Sequence, residues 1–298
     1  MARMSDWVEG ARPRTLPASV SPIFAGTGIA IWLGQASAPR ALLAAAVALF
    51  FQIGVNFSND YSDGIRGTDD VRSGPPRLTG GGKTRPGYVK AAAFVCFGLG
   101  SVAGLVLVAL CGQWWLIALG VAAVLAAWFY TGGKYPYGYM GLGEIFVFVF
   151  FGLMATAGTT YTQALSVPWQ GWLAASAIGL ISCALLMVNN IRDIPTDAAS
   201  EKHTLAVRLG DARARWSYAL LVWIPIAMAI ALLVSTGNPF TWLFFLPAAY
   251  FAATCSARVL GTRHHPALNG RALIPVLRDT GFMELAYGIG TFLAFVFA

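Results

Sequence analysis

The sequence predicts an all-α, polytopic membrane protein. Nine transmembrane helices make one domain over residues 1–298, bundled around a central cavity open to the cytoplasmic side. Three observations predict this. The 298 residues are 57% hydrophobic and only 11% charged, against roughly a quarter charged in a soluble domain. Apolar stretches of about 18 residues, long enough to cross a bilayer as a helix, recur nine times. The charges gather between these stretches on one side. Together with a mean hydropathy of +0.64, these features exclude a disordered chain, a conventional soluble enzyme and a basic nucleic-acid-binding domain.

The expected spans are 15–34, 41–58, 91–111, 114–131, 145–164, 170–188, 216–236, 240–257 and 281–298. The first follows Arg12, Pro13 and Arg14, with no short apolar core and small-residue cleavage site of a signal peptide. The second and sixth run out into Asn/Asp-rich segments, and the fourth into a segment of glycines and tyrosines. The ninth carries Glu284 near its start, and the middle of every span is free of charge. Alternating spans put the N-terminus, 59–90, 132–144, 189–215 and 258–284 on one side. That side holds 19 of the 20 Lys and Arg residues and all 13 Asp and Glu residues, leaving only Arg40 opposite. Basic residues stay on the cytoplasmic side, so the expected setting is a cell membrane with the N-terminus inside and the C-terminus outside. The net charge of +7 is thereby a topological signal, and no nucleic-acid partner is expected. Cys96, Cys111, Cys183 and Cys255 lie in apolar runs without CxxC spacing and read as small buried hydrophobes.

Two segments carry the chemistry. Asn56, Asn59, Asp60 and Asp63 are three or four residues apart and share one face of a helix. Gly67 takes the next place, and if the helix stops near that glycine Asp69 can fold back from the loop toward the others. After the sixth span, Asn189, Asp193 and Asp197 repeat the four-residue spacing. Crowded carboxylates repel unless a cation lies between them, and oxygen-only ligands select a hard ion, Mg²⁺. Two such clusters on one face would hold a diphosphate between metal ions, with Arg66, Arg77, Arg192 and Lys202 as nearby cations. The run Thr79-Gly-Gly-Gly-Lys83-Thr84 lacks the full phosphate-loop pattern. The segment Tyr130–Glu144 reads either as an interfacial tyrosine anchor or as a lid whose aromatic faces shield a cation. Charge-free span centres count against a transporter of a lipid-linked or phosphorylated substrate, the alternative class.

The two motifs NDYSDGIRGTD and NNIRDIPTDAASEKHTLAVRLG resemble the paired Asp-rich motifs of the UbiA superfamily of intramembrane prenyltransferases. RPRTLPASVSPIFAGTG at 12–28, YTGGKYPYGYMGLGE at 130–144 and TLAVRLG at 204–210 are most similar to its branch acting on 1,4-dihydroxy-2-naphthoate. Glu201 stands where such sequences usually have glycine. The resemblance implies Mg²⁺-dependent transfer of a polyprenyl group from polyprenyl diphosphate to that acceptor, with loss of CO₂ and diphosphate, within membrane lipid; Mn²⁺ substitutes. It implies metal ligands Asn59, Asp60, Asp63, Asp69, Asn189, Asp193 and Asp197, with Asp63, Asp193, Asp197 and Lys202 catalytic. Asn56, Arg66, Arg77, Tyr130, Lys134, Tyr137, Tyr139, Arg192 and Lys202 would bind substrate. Another aromatic acceptor, such as 4-hydroxybenzoate or homogentisate, is the near alternative.

Overall fold

A backbone in hydrocarbon must satisfy its own hydrogen bonds, and helices do so within one segment. The computed structural model describes residues 2–67 and 77–298, and among them there is no strand. A short helix α1 (Met4–Ala11) leads through a 3₁₀ turn into α2 (Leu16–Trp32), followed by α3 (Ala38–Ile65), α4 (Pro86–Cys111) and α5 (Leu116–Phe129). Next, α6 (Gly143–Val147), a π-helical stretch (Phe148–Ala157) and α7 (Gly158–Ala164) form one continuous rod. Then come α8 (Trp169–Ala199), the single turn α9 (Leu205–Leu209) and α10 (Asp211–Thr236). A 3₁₀ segment (Pro239–Phe245) leads into α11 (Leu246–Leu260), and α12 (Ile274–Val296) is the last helix. Prolines stand in the first turn of α2, α3, α4, α11 and α12, where a missing N–H costs nothing. Gly112 and Gly237 end α4 and α10 with φ of 72° and 68°, the left-handed cap that favours glycine.

Nine rods result among the described residues, and the chain is a multi-pass membrane protein. Seven rods are long and apolar enough to cross a bilayer. The other two differ instructively. At 14 residues, α5 reaches about 21 Å. α12 begins at Ile274 rather than 281, so Glu284 lies at mid-helix and fully buried. The expectation of charge-free span centres is corrected there. The two acid-bearing segments are also helical throughout: α3 continues to Ile65 and α8 to Ala199, past the expected ends at 58 and 188.

The long helix α8 is the axis of the bundle, packing against α2, α10, α12 and the π-helical stretch. Its face carries Ile178, Ile181 and Met187 into a core completed by Tyr218, Val222 and Tyr287. Against the π-helical stretch the approach is backbone to backbone, because Gly152 meets Gly179. Side chains such as Leu42, Val95, Val102, Ile230 and Val234 face outward, where lipid replaces water. At the end remote from the acids, Arg40 donates to the carbonyls of Leu110 (2.7 Å), Thr162 (3.2 Å) and Gln163 (3.3 Å). The lone basic residue of that end thus caps the last turns of α4 and α7. Inside the ring is a cavity of about 1480 Å³, apolar in its body and polar at one mouth, walled by α2, α3, α5, the π-helical stretch and α8.

A methyl group added at Gly152 would overlap the backbone of Gly179 and approach the Ala175 carbonyl at 2.9 Å, and neither can yield. Gly152→Ala is expected to destabilise by about 1–3 kcal/mol, read as a lower thermal unfolding midpoint in detergent. An unchanged midpoint would mean that the two rods are free to separate.

Candidate active site

Asn56, Asn59, Asp60 and Asp63 form a buried polar stripe on the last three turns of α3. Together they bind three segments. Asn56 donates to the Ala11 carbonyl at 2.9 Å, and Asn59 accepts from the Thr131 hydroxyl at 2.9 Å. Asp60 accepts two backbone N–H groups, from Leu78 at 2.9 Å and Thr79 at 2.8 Å. Asp63 accepts from the Tyr139 hydroxyl at 2.8 Å and lies 3.5 Å from the Arg77 guanidinium. The stripe therefore fixes the N-terminal segment, the 77–79 turn and the 130–144 segment around one end of the helix.

On α8 the opposing stripe is Asn189, Asn190, Asp193 and Asp197. Asn190 donates to Glu144 at 3.2 Å. Arg192 forks onto the adjacent Asp193, with Nε 2.8 Å from Oδ1 and a second bond from Nη2 to Oδ2. Asp197 lies 3.8 Å from the Lys202 ammonium through Oδ1, and its Oδ2 is buried with no hydrogen-bond partner among the described residues. Lys202 is presented by a tight turn in which its N–H donates to the Asp197 carbonyl at 2.9 Å. The turn is made by Glu201 at φ 55°, the left-handed conformation in which glycine is strain-free.

Tyr139 joins the two stripes. Its hydroxyl is on Asp63, and its ring faces Lys202 at 5.1 Å and Arg66 at 5.3 Å. Arg66 in turn donates to the carbonyls of Thr131 (2.7 Å) and Gly133. Tyr130 and Tyr137 pack edge to face at 5.5 Å, and Tyr137 stacks on Phe146 at 3.9 Å, making an aromatic wall of the cavity. Burial, with the nearby Glu144 charge second, holds the Tyr130 phenol well above its usual range. Burial does the same to Tyr137. Both present neutral rings.

The cavity mouth therefore collects Asn56, Asn59, Asp60, Asp63, Arg77, Tyr130, Tyr137, Asn189, Arg192 and Lys202. Asp193, Asp197, Arg66 and Tyr139 adjoin it through the contacts above. Lys134 does not join them; it is exposed and stacks on Tyr135 at 5.4 Å. Asp69 lies outside the described residues. Among the described residues no three His, Cys, Asp or Glu side chains converge as a ready-made ligand set; Arg77, Arg192 and Lys202 neutralise the acids instead. The donors are nevertheless all oxygen, and Asp197 Oδ2 keeps an unused acceptor among the described residues, a fit for a hard cation. Spacing did not reveal Thr131, Glu144, Ser182 or Glu284, because each is isolated in an apolar or loop stretch.

The profile of the UbiA prenyltransferase family matches residues 19–270. A 1,4-dihydroxy-2-naphthoate octaprenyltransferase from Mycobacterium tuberculosis (strain ATCC 25618 / H37Rv) is 51% identical, over 97% of this chain and 96% of its own. The protein of that name from Escherichia coli (strain K12) is 36% identical, over 99% and 97%. A solved UbiA homologue from Archaeoglobus fulgidus, bound to DMAPP and Mg²⁺, shares the fold with a TM-score of 0.67 at 15% identity, covering 97% of this chain and 99% of that one.

Because both oxygens of Asp60 hold backbone amides, Asp60→Asn turns an NH₂ group toward an N–H. We expect a loss of about 2 kcal/mol, the scale of a charged hydrogen bond, seen as reduced thermal stability. The Mg²⁺ concentration for half-maximal turnover should not move. A shifted metal requirement with intact stability would make Asp60 a ligand instead.

Proposed function

As the chain belongs to the UbiA prenyltransferase family, we propose that it transfers a polyprenyl group from polyprenyl diphosphate to 1,4-dihydroxy-2-naphthoate. Diphosphate and CO₂ leave, and the hydroquinone demethylmenaquinol forms, the reduced form of demethylmenaquinone. The observation that carries this reading is the meeting of two acid-bearing helix ends, through Tyr139, at the mouth of a long apolar cavity. That mouth suits a diphosphate head, and the body suits an isoprenoid tail entering from lipid.

Asp63, Asp193 and Asp197, with Asn59 and Asn189, are the residues that would hold the divalent cation. When bound, Mg²⁺ (or Mn²⁺ in its place) supplies neutralisation of the diphosphate charge. Arg77, Arg192, Lys202 and Arg66 would supply positive charge around the oxygens of the leaving group. As the allylic C–O bond breaks, its electron pair goes to diphosphate, and the rings of Tyr130, Tyr137 and Tyr139 face the carbon left positive. The dihydroxynaphthoate ring forms the new C–C bond, and its carboxylate departs as CO₂. Closing the mouth by the 130–144 segment keeps water from the cation. With nearly all charge at that end, the mouth faces the cytoplasm of a cell membrane.

Purified protein given Mg²⁺, a polyprenyl diphosphate and dihydroxynaphthoate should yield a decarboxylated prenyl product by mass spectrometry. EDTA should abolish it, and Mg²⁺ or Mn²⁺ restore it; full activity after exhaustive chelation rejects the metal-bound diphosphate. Asp63→Asn and Asp197→Asn are expected to lower turnover by about 10²–10³ at unchanged stability. Asp193→Asn should lose stability as well, because it leaves Arg192 buried without its ion partner. Equal behaviour of all three would contradict these assignments.

The orientation has its own test in a chain with the four native cysteines replaced. His203→Cys should react with an impermeant thiol reagent only in inside-out vesicles, and Ser166→Cys only from the opposite side. Labelling of His203→Cys in intact cells inverts the topology.

A further inference from the structure

Deeper than the acids, the cavity has a second polar point that diphosphate chemistry does not use. Glu284 on α12 is 1% exposed and lines the cavity. Its Oε1 accepts from the Ser182 hydroxyl of α8 at 2.7 Å, while Oε2 is buried with no partner among the described residues. Ser21 of α2 donates to the Glu284 backbone carbonyl, so three helices meet here, and the Ser182 bond orients the side chain. A buried carboxyl with an unmet oxygen is costly, and the wall around it offers little else to bond.

Position along the helices narrows what completes it. Ser182 precedes Asn189 by seven residues and Asp193 by eleven, about 10 Å and 16 Å along the axis of α8. Glu284 is therefore too deep to share a cation with Asp193 or Asp197. An isoprenoid tail has no hydrogen-bond donor. The aromatic acceptor has two hydroxyls. In 1,4-dihydroxy-2-naphthoate the 1-hydroxyl is ortho to the carboxylate and closes an internal hydrogen bond. The 4-hydroxyl is left without an acceptor once the ring is stripped of water. With the 4-hydroxyl on Glu284, the carboxylate lies about 6 Å farther toward the basic mouth, and a hydrogen bond at each end carries the ring to the level of Asn189, short of Asp193. Asn189 and Arg14 line the cavity on the way, and Arg14 sits beside Gly281, one turn before Glu284.

Resting on the function proposed above, we infer that Glu284, oriented by Ser182, accepts the acceptor ring's 4-hydroxyl and is the specificity-determining residue for a para-hydroquinone. A site built to bond a hydroxyl rejects the analogue that lacks it far more strongly than an apolar pocket does.

The test is direct binding to the full-length purified protein, anaerobically and without donor or Mg²⁺, by titration calorimetry. The probes are 1,4-dihydroxy-2-naphthoate and 1-hydroxy-2-naphthoate. Wild type should prefer the first by at least about tenfold. Glu284→Met and Ser182→Ala should shrink that preference to about threefold or less, with Glu284→Gln between them, while the KM for polyprenyl diphosphate and the metal requirement stay within about twofold. Equal binding of both probes by wild type overturns the inference without any variant, which covers the case that Glu284→Met does not fold. So does full discrimination by a folded Glu284→Met or Ser182→Ala. Prenylation of some other acceptor, with no turnover of dihydroxynaphthoate, overturns the functional reading instead.

Discussion

Carboxylates set side by side at low dielectric must be neutralised, and the polar end of this bundle is arranged to do so. Asp63 has Arg77 and the Tyr139 hydroxyl, Asp193 has Arg192, and Asp197 has Lys202. Arg77, Tyr139 and Lys202 come from the segments after α3, α5 and α8, so for Asp63 and Asp197 neutralisation and loop placement are one process, whereas Asp193 is balanced by its own neighbour on α8. The segment after α3 and the short turn after α8 are held at the cavity mouth by the charges they balance.

The same constraint explains why catalytic readiness and rest compete here. Arg77, Arg192 and Lys202 now stand where a divalent cation and a diphosphate would take over their work. Substrate entry as proposed would exchange one set of counter-charges for another. Tyr139, which touches Asp63 through its hydroxyl and both Arg66 and Lys202 through its ring, is placed to follow that exchange.

Much of this was legible in the sequence because hydropathy and helical spacing are local properties. The nine rods, the Asn56–Asp63 face and its counterpart at Asn189–Asp197 all follow from one-dimensional patterns. What spacing does not carry is which partner a side chain chooses. Asp60 has the spacing of a ligand and yet holds the amides of Leu78 and Thr79. Lys134 sits in a promising segment and points away. Glu284 was placed at a helix start because charge was taken to mark span ends, whereas packing of α12 against α2 and α8 extends the helix past Arg278 and Asp279. Glu201 adopts a glycine's conformation at φ 55°, so the turn presenting Lys202 is kept by its surroundings rather than by its residue type.

The brevity of α5 has a consequence for the surrounding lipid. Its 14 residues span about 21 Å, while the hydrocarbon slab is about 30 Å thick. Beside this one wall the acyl chains must shorten or tilt, since hydrophobic mismatch is relieved by local thinning. Trp114 and Trp115, exposed just before the helix, anchor the shallow side at headgroup level. Thinning lowers the barrier for a bulky isoprenoid to slip between lipid and protein at this wall. Acyl-chain length thus becomes a variable of substrate capture, and the same enzyme will work at different rates in thin and thick bilayers.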